Sequence, residues 1–94
     1  MEHLRTIGQE QVKNYLNHLH EGEHSDLTVQ KYSRDIARFL AFAGGQLDKP
    51  FLMAWKAHLV TDGYAPQTVN SMLAAVNGFL DFLGHADQKV KPLK

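Results

Sequence analysis

Two stretches of this chain repeat each other at an offset of forty residues: Thr28-Val29 aligns with Thr68-Val69, Ile36 with Val76, Phe39-Leu40 with Phe79-Leu80, Phe42 with Phe82 and Gly44 with Gly84. The shared apolar residues recur at the 3.6-residue period of a helix and not at the period of two that marks a strand. A long amphipathic helix must bury its apolar stripe against another element, and two such helices can do so against each other. The repeat therefore predicts two helical hairpins placed face to face, each giving one long helix to a shared core. The plainer alternative is that similar helices simply use similar residues.

The punctuation between the apolar runs sets the elements. Thr6 followed by Gln9 fits a capping box, and Val12, Tyr15, Leu16 and Leu19 recur behind it, so a first helix is expected over about 7–21, closed by Gly22. A second begins near Ser25 or Asp26, buries Val29, Tyr32, Ile36, Phe39, Leu40 and Ala43, and stops at Gly44-Gly45. Asp48 before Pro50 starts a shorter third helix through Leu52, Trp55 and Leu59 to about Thr61, closed by Asp62-Gly63. Pro66 opens a fourth, whose buried side reads Val69, Met72, Leu73, Val76, Phe79, Leu80 and Leu83, ended by Gly84. The expected fold is all-α, a four- to five-helix bundle. Residues 1–6 read as an N-terminal extension, 7–84 as the helical domain, and 85–94 as a linker leaving it. Trp55 and the phenylalanines fit core positions.

At 94 residues there is material for one core. No apolar run is long enough to span a bilayer and no signal segment is present, so a cytoplasmic setting without membrane contact is expected. The chain has no cysteine, which removes disulfides and thiolate ligands. Ten basic and ten acidic residues cancel, which argues against strong nonspecific binding of nucleic acid by this chain alone. Their placement is uneven. Lys31, Arg34 and Arg38 fall at i, i+3 and i+7 on one side of the second helix, Lys89, Lys91 and Lys94 lie in the tail, and Glu21, Glu23 and Asp26 gather at a turn.

The stripe of Lys31, Arg34 and Arg38, with Thr28 near its start, could lie along a phosphate backbone, although such stripes are also the ordinary solvated face of an amphipathic helix. The fourth helix offers a different exposed face of small and neutral polar residues: Gln67, Asn70, Ser71, Ala74, Asn77 and Gly78. These permit close approach of another macromolecule, and Asn or Gln can meet base edges or phosphate oxygens. Gly78, costly in a helix, serves either such an approach or tight packing of a neighbouring helix. The helix starts at Thr28 and Thr68 present N–H groups suited to an anion or to ordinary capping. His18, His20 and His24 match no zinc spacing, and no nucleophile, base and oxyanion donors assemble, so neither a metal, a cofactor nor catalysis by this chain is expected.

The segments Leu27-Thr28, Tyr32, Asp35-Ile36 and Phe39-Leu40, then Gly63-Tyr64, Thr68-Val69-Asn70, Leu73, Ala75-Val76 and Phe79-Leu80-Asp81-Phe82-Leu83, with Val90-Lys91-Pro92 and Lys94, resemble the N-terminal core-binding domain of tyrosine recombinases and phage-type integrases. The similarity runs over residues 7–94. It implies a SAM-like helical fold that forms half of a C-shaped clamp on double-stranded DNA. The other half is a C-terminal catalytic domain of the same protein, and other recombinase protomers assemble on the same DNA. The catalytic tyrosine and its supporting residues belong to that second domain, so none is carried onto Tyr15, Tyr32 or Tyr64. On this resemblance the DNA-facing residues are Thr28, Lys31, Arg34, Arg38, Gln67, Thr68, Asn70, Ser71 and Asn77. Relatives often carry Arg or Lys around the positions of Asn70, Asn77 and Gly78, which implies weaker DNA binding here or more dependence on the partner domain. The alternative function is a helical protein-protein interaction module, with an exposed apolar patch drawn from Leu4, Leu47, Phe51 or Leu93.

Overall fold

A computed structural model describes residues 8–94. Four helices follow in order, α1 (Gln9–Glu21), α2 (Asp26–Ala43), α3 (Lys49–Thr61) and α4 (Pro66–Phe82), then one 3₁₀ turn (Ala86–Gln88) and an extended tail. There is no β-strand among the described residues. The fold is the all-α bundle of two hairpins that the repeat predicts.

Local chemistry explains the boundaries. Ser25 caps α2, its Oγ accepting the Thr28 N–H at 3.1 Å, and Asp48 caps α3 by accepting from the Phe51 N–H at 3.5 Å. Gly44 takes the left-handed conformation that ends α2. Helix α1 starts two residues later than expected. Gly8 is its N-cap, and the Gln11 side chain, not that of Gln9, reaches back to accept the Gly8 N–H at 3.1 Å. Thr6, Leu4 and the expected extension 1–6 lie outside the described residues.

The repeat persists in the backbone hydrogen bonds. The turn after α1 is closed by the N–H groups of Gly22, Glu23 and His24 donating to the carbonyls of His18, His20 and Leu19. The turn after α3 is closed by Asp62, Gly63 and Tyr64 donating to His58, Val60 and Leu59, each forty positions on. It persists in packing as well. Tyr15 of α1 meets Phe79 of α4 with ring centroids 5.3 Å apart, and Trp55 of α3 meets Phe39 of α2 at the same 5.3 Å. His18 lies 5.0 Å from Phe82, and His58 lies 5.1 Å from Phe42. Each short helix thus crosses to the long helix of the other hairpin, an approximate two-fold exchange in which α2 and α4 pack centrally. Ile36, Phe39, Val76 and Phe79, the repeated residues, are fully buried there. Burial at about 25 cal/mol per Å² makes such side chains worth roughly 1.5–3 kcal/mol each.

Three phenylalanines depart from the expectation that all are core. Phe42, Phe51 and Phe82 are 41%, 40% and 37% exposed. Phe42 and Phe82 sit at the rim, each covered on one side by its histidine, because the helix period carries the third residue after Phe39 or Phe79 to the edge of the stripe.

The segment expected as a departing linker instead turns back over the domain. Val90 is buried and Leu93 partly so, both against the core. The reason lies on α4. The Asn77 amide donates to the Val90 carbonyl (2.9 Å) and accepts from its N–H (3.1 Å), and Asn70 makes the same pair with Leu93 (3.0 and 2.6 Å).

Candidate functional site

The two long helices converge on one side of the bundle at a shallow cleft of about 300 Å³. Lys31, Arg34 and Arg38 of α2 form one wall, and Gln67, Thr68 and Ser71 of α4 the other, with Tyr64 at one end and Asp35 and Met72 below. The spacing explains this. The stripe at 31, 34 and 38 lies beside the apolar stripe of α2, and the polar stripe at 67, 68 and 71 lies beside that of α4. Two helices packed by their apolar stripes bring those flanks together.

The three cations are not equivalent. Lys31 Nζ donates to Asp35 Oδ2 at 2.5 Å and to the Ser71 carbonyl oxygen at 3.3 Å, so it bridges α2 to α4. Asp35 is the buried charged residue of the core, and a carboxylate removed from water needs this partner. The sequence pattern does not announce this pairing, because i, i+4 Lys-Asp spacing is the same on a solvated face as over a buried one. Arg34 and Arg38 are exposed and form no ion pair or side-chain hydrogen bond with the described residues. Arg38 and Tyr64 also border an adjoining cleft that runs over Phe42 and His58.

Other residues expected at the interface lie elsewhere. Thr28 belongs to the cap of α2, its hydroxyl accepting from Ser25 Oγ at 2.9 Å, and is not part of the cleft. Asn70 and Asn77 face the tail, with both ends of each amide engaged by tail backbone, so they do not share a surface with Gln67 and Thr68. Gly78 serves packing: a Cβ there would stand 2.6 Å from Tyr15 Oη. Asp35, Tyr64 and Met72 are the cleft residues absent from the expected set. For Tyr64 the signal that could have marked it is the Gly63-Tyr64 pair of the family resemblance.

At the start of α4, Ala65 supplies no side-chain cap and Pro66 no N–H, so the Gln67 and Thr68 N–H groups beside the cleft have no side-chain acceptor. Burial, then the neighbouring Tyr32 and Asp81, pushes the Tyr15 phenol up to about 12, the direction opposite to an activated nucleophile. Among the described residues no three His, Asp or Glu side chains are placed to hold a metal ion. No helix there is long and apolar enough to cross a membrane.

Residues 12–87 match the model of the family described as phage integrase, N-terminal SAM-like domain. The chain belongs to this family. It is the SAM-like domain of integrases, the non-catalytic N-terminal unit and not the catalytic domain. A comparison with curated proteins gives no match.

The apolar patch expected under the alternative function is also redrawn. In this SAM-like domain Leu47 is buried and Leu93 partly buried under the tail's own packing. Phe51 is exposed, as are Met53 and Val60 of the same helix α3. Met53 and Val60 are the two that adjoin the tail. They line, with the tail, a groove of about 720 Å³ edged by Lys49, Lys56, Lys89 and Lys91.

Proposed function

We propose that the cleft between α2 and α4 is the surface by which this SAM-like domain lies on duplex DNA, chiefly through backbone phosphates. It serves as one half of a clamp whose other half is a catalytic domain of the same polypeptide, and further protomers assemble on the same DNA. The observation that carries the reading is the pair Arg34 and Arg38, exposed and without partners among the described residues, on a wall that faces uncharged donors at Gln67, Thr68 and Ser71. Arginine presents a planar fork to phosphate oxygens, and short neutral side chains opposite let the backbone approach. Lys31 contributes mainly by cancelling Asp35, whose charge beneath the cleft would otherwise repel phosphate. The uncapped N–H groups of Gln67 and Thr68 add donors at a helix N-terminus.

Titration of a fluorescent duplex at several salt concentrations tests the proposal. Affinity falls steeply with salt, and Arg34→Ala/Arg38→Ala weakens binding across all sequences while reducing the slope of log K against log salt by about 2. Salt-independent binding, or an unchanged slope in the double variant, overturns it.

A second reading, docking of a protein partner, is favoured by the exposed Met53 and Val60 in the lysine-edged groove. It predicts binding that tolerates salt and ignores Arg34 and Arg38 but is abolished by Met53→Glu/Val60→Glu.

A further inference from the structure

Asn70 and Asn77 do more than bury a stray tail. They lie seven residues apart on α4, two turns on one face, which separates them by about 10.5 Å along the helix. Their partners Leu93 and Val90 lie three residues apart, and three extended residues span roughly 9–10 Å. The two lengths match, so each amide meets both main-chain groups of its residue, as a neighbouring strand would: four hydrogen bonds of 2.6 to 3.1 Å. The residues between also fit. Pro92 has no N–H to leave unpaired and resists helix, while the Lys91 carbonyl accepts from Lys56 Nζ of α3 at 2.6 Å. Upstream, Lys89 Nζ is held by both carboxylate oxygens of Asp81 at 3.1 and 2.9 Å. This register is specific to α4, because the equivalents of Asn70 and Asn77 forty positions earlier are Gln30 and Ala37.

We propose that Asn70 and Asn77 are positioning residues that read the main chain of residues 90–93 and fix where the polypeptide leaves the domain. The tail runs antiparallel to α4, so the clasp delivers Lys94 to the helix end that carries Gln67 and Thr68. The exit then stands beside the DNA cleft. That last consequence rests on the proposed function; the clasp does not.

The absence of cysteine allows a single spin label at Lys94→Cys in the 94-residue chain. In the labelled parent, the Gln67, Asn70 and Thr68 amide signals broaden, and the Val90 and Leu93 amides exchange slowly with solvent. In Asn70→Ala/Asn77→Ala the broadening disappears and both amides exchange about tenfold faster or more, the loss of two hydrogen bonds at each, while core amides of Phe39 and Phe79 keep their shifts and protection. Asn77→Asp, which keeps the acceptor for the Val90 N–H but loses the donor, falls between. Unchanged broadening in the double variant, or core signals that shift together with the tail, overturns the proposal. Salt-dependent DNA titration of the same proteins is read separately. Failure of the cleft to bind leaves the label data standing, and failure of the clasp leaves Arg34 and Arg38 dependence standing.

Discussion

The two hairpins share a core and differ at their surfaces. Tyr15 with Phe79 and Trp55 with Phe39 are equivalent contacts at equal distance. Around that core the equivalent positions diverge: Lys31, Arg34, Asp35 and Arg38 of α2 correspond to Ser71, Ala74, Ala75 and Gly78 of α4. One hairpin carries the charge of the cleft. The other carries small groups, a glycine that admits Tyr15 and the asparagines that hold the tail. Packing in both halves demands the same residues at the same period, whereas the surface is free to specialise, so a duplicated core can present a charged wall and a neutral wall to one cleft.

The largest effect of exchanging the halves should appear at the buried carboxylate. Lys31→Ser, the residue of the second hairpin, leaves Asp35 buried and unpaired. Breaking a fully buried pair costs about 3–5 kcal/mol, and with the lysine end a third exposed a loss of roughly 2–3 kcal/mol is expected. Lys31→Ser/Asp35→Ala converts both positions to the second hairpin's residues and should return to within about 1 kcal/mol of the parent, because the desolvation penalty disappears with the charge. Urea unfolding with an unchanged m-value measures both. Equal losses in the single and double variants would mean that Asp35 holds the helices by something other than this pair.

Gly78 ranks next. An added Cβ would lie 2.6 Å from Tyr15 Oη but 3.8 Å from Cζ. Overpacking of about 1–3 kcal/mol opposes a helix-propensity gain of about 1 kcal/mol, so Gly78→Ala should lose up to about 2 kcal/mol. Tyr15→Phe removes the clashing oxygen, and in that background Gly78→Ala should be neutral or stabilising, a coupling that a double-mutant cycle reads directly. The same tyrosine gives a pH signature. Its folded pKa is raised from 10.0 to about 12, chiefly by burial, so the unfolded chain loses the proton first. Stability present below pH 10 is lost as pH rises towards 12, and Tyr15→Phe should flatten that decline.

The elements and the repeated core were legible because Val29, Ile36, Phe39 and their partners obey one period, and because Ser25, Asp48, Pro50 and Gly44 are local signals that tertiary packing had no reason to override. The cleft was legible in part. Arg34, Arg38, Gln67, Thr68 and Ser71 flank apolar stripes whose contact the repeat implies. Asn70 and Asn77 were read as exposed because nothing in a helix pattern announces that an extended segment thirteen to twenty-three residues later will match their spacing. Asp35 was missed for the converse reason. An i, i+4 Lys-Asp pair has the same spacing on a solvated face as over a buried one, and only the position of Ser71 across the helix interface decides between them. Tyr64 belongs to a turn whose course depends on both hairpins.

The smallest effect sharpens the comparison most cleanly, because it touches no side-chain contact. The turns after α1 and α3 make the same hydrogen bonds, yet the first reads Gly22-Glu23 and the second Asp62-Gly63. The residue that must take positive φ is the second of each pair: Gly63 at 90° and Glu23 at 64°. Gly22, at φ −81°, gains nothing from lacking a side chain. A left-handed residue costs a non-glycine about 1–2 kcal/mol, and glycine gives back about 0.5–1 kcal/mol through unfolded-state entropy. Glu23→Gly should therefore stabilise the domain by roughly 0.5–1 kcal/mol, a rise in Tm of about 2–8 °C for a domain of this size. Gly63→Ala should lose a similar amount. If Glu23→Gly gains nothing while Gly63→Ala still loses, equal hydrogen bonding does not make the two turns equally strained, and the two-fold likeness of the hairpins ends at their helices.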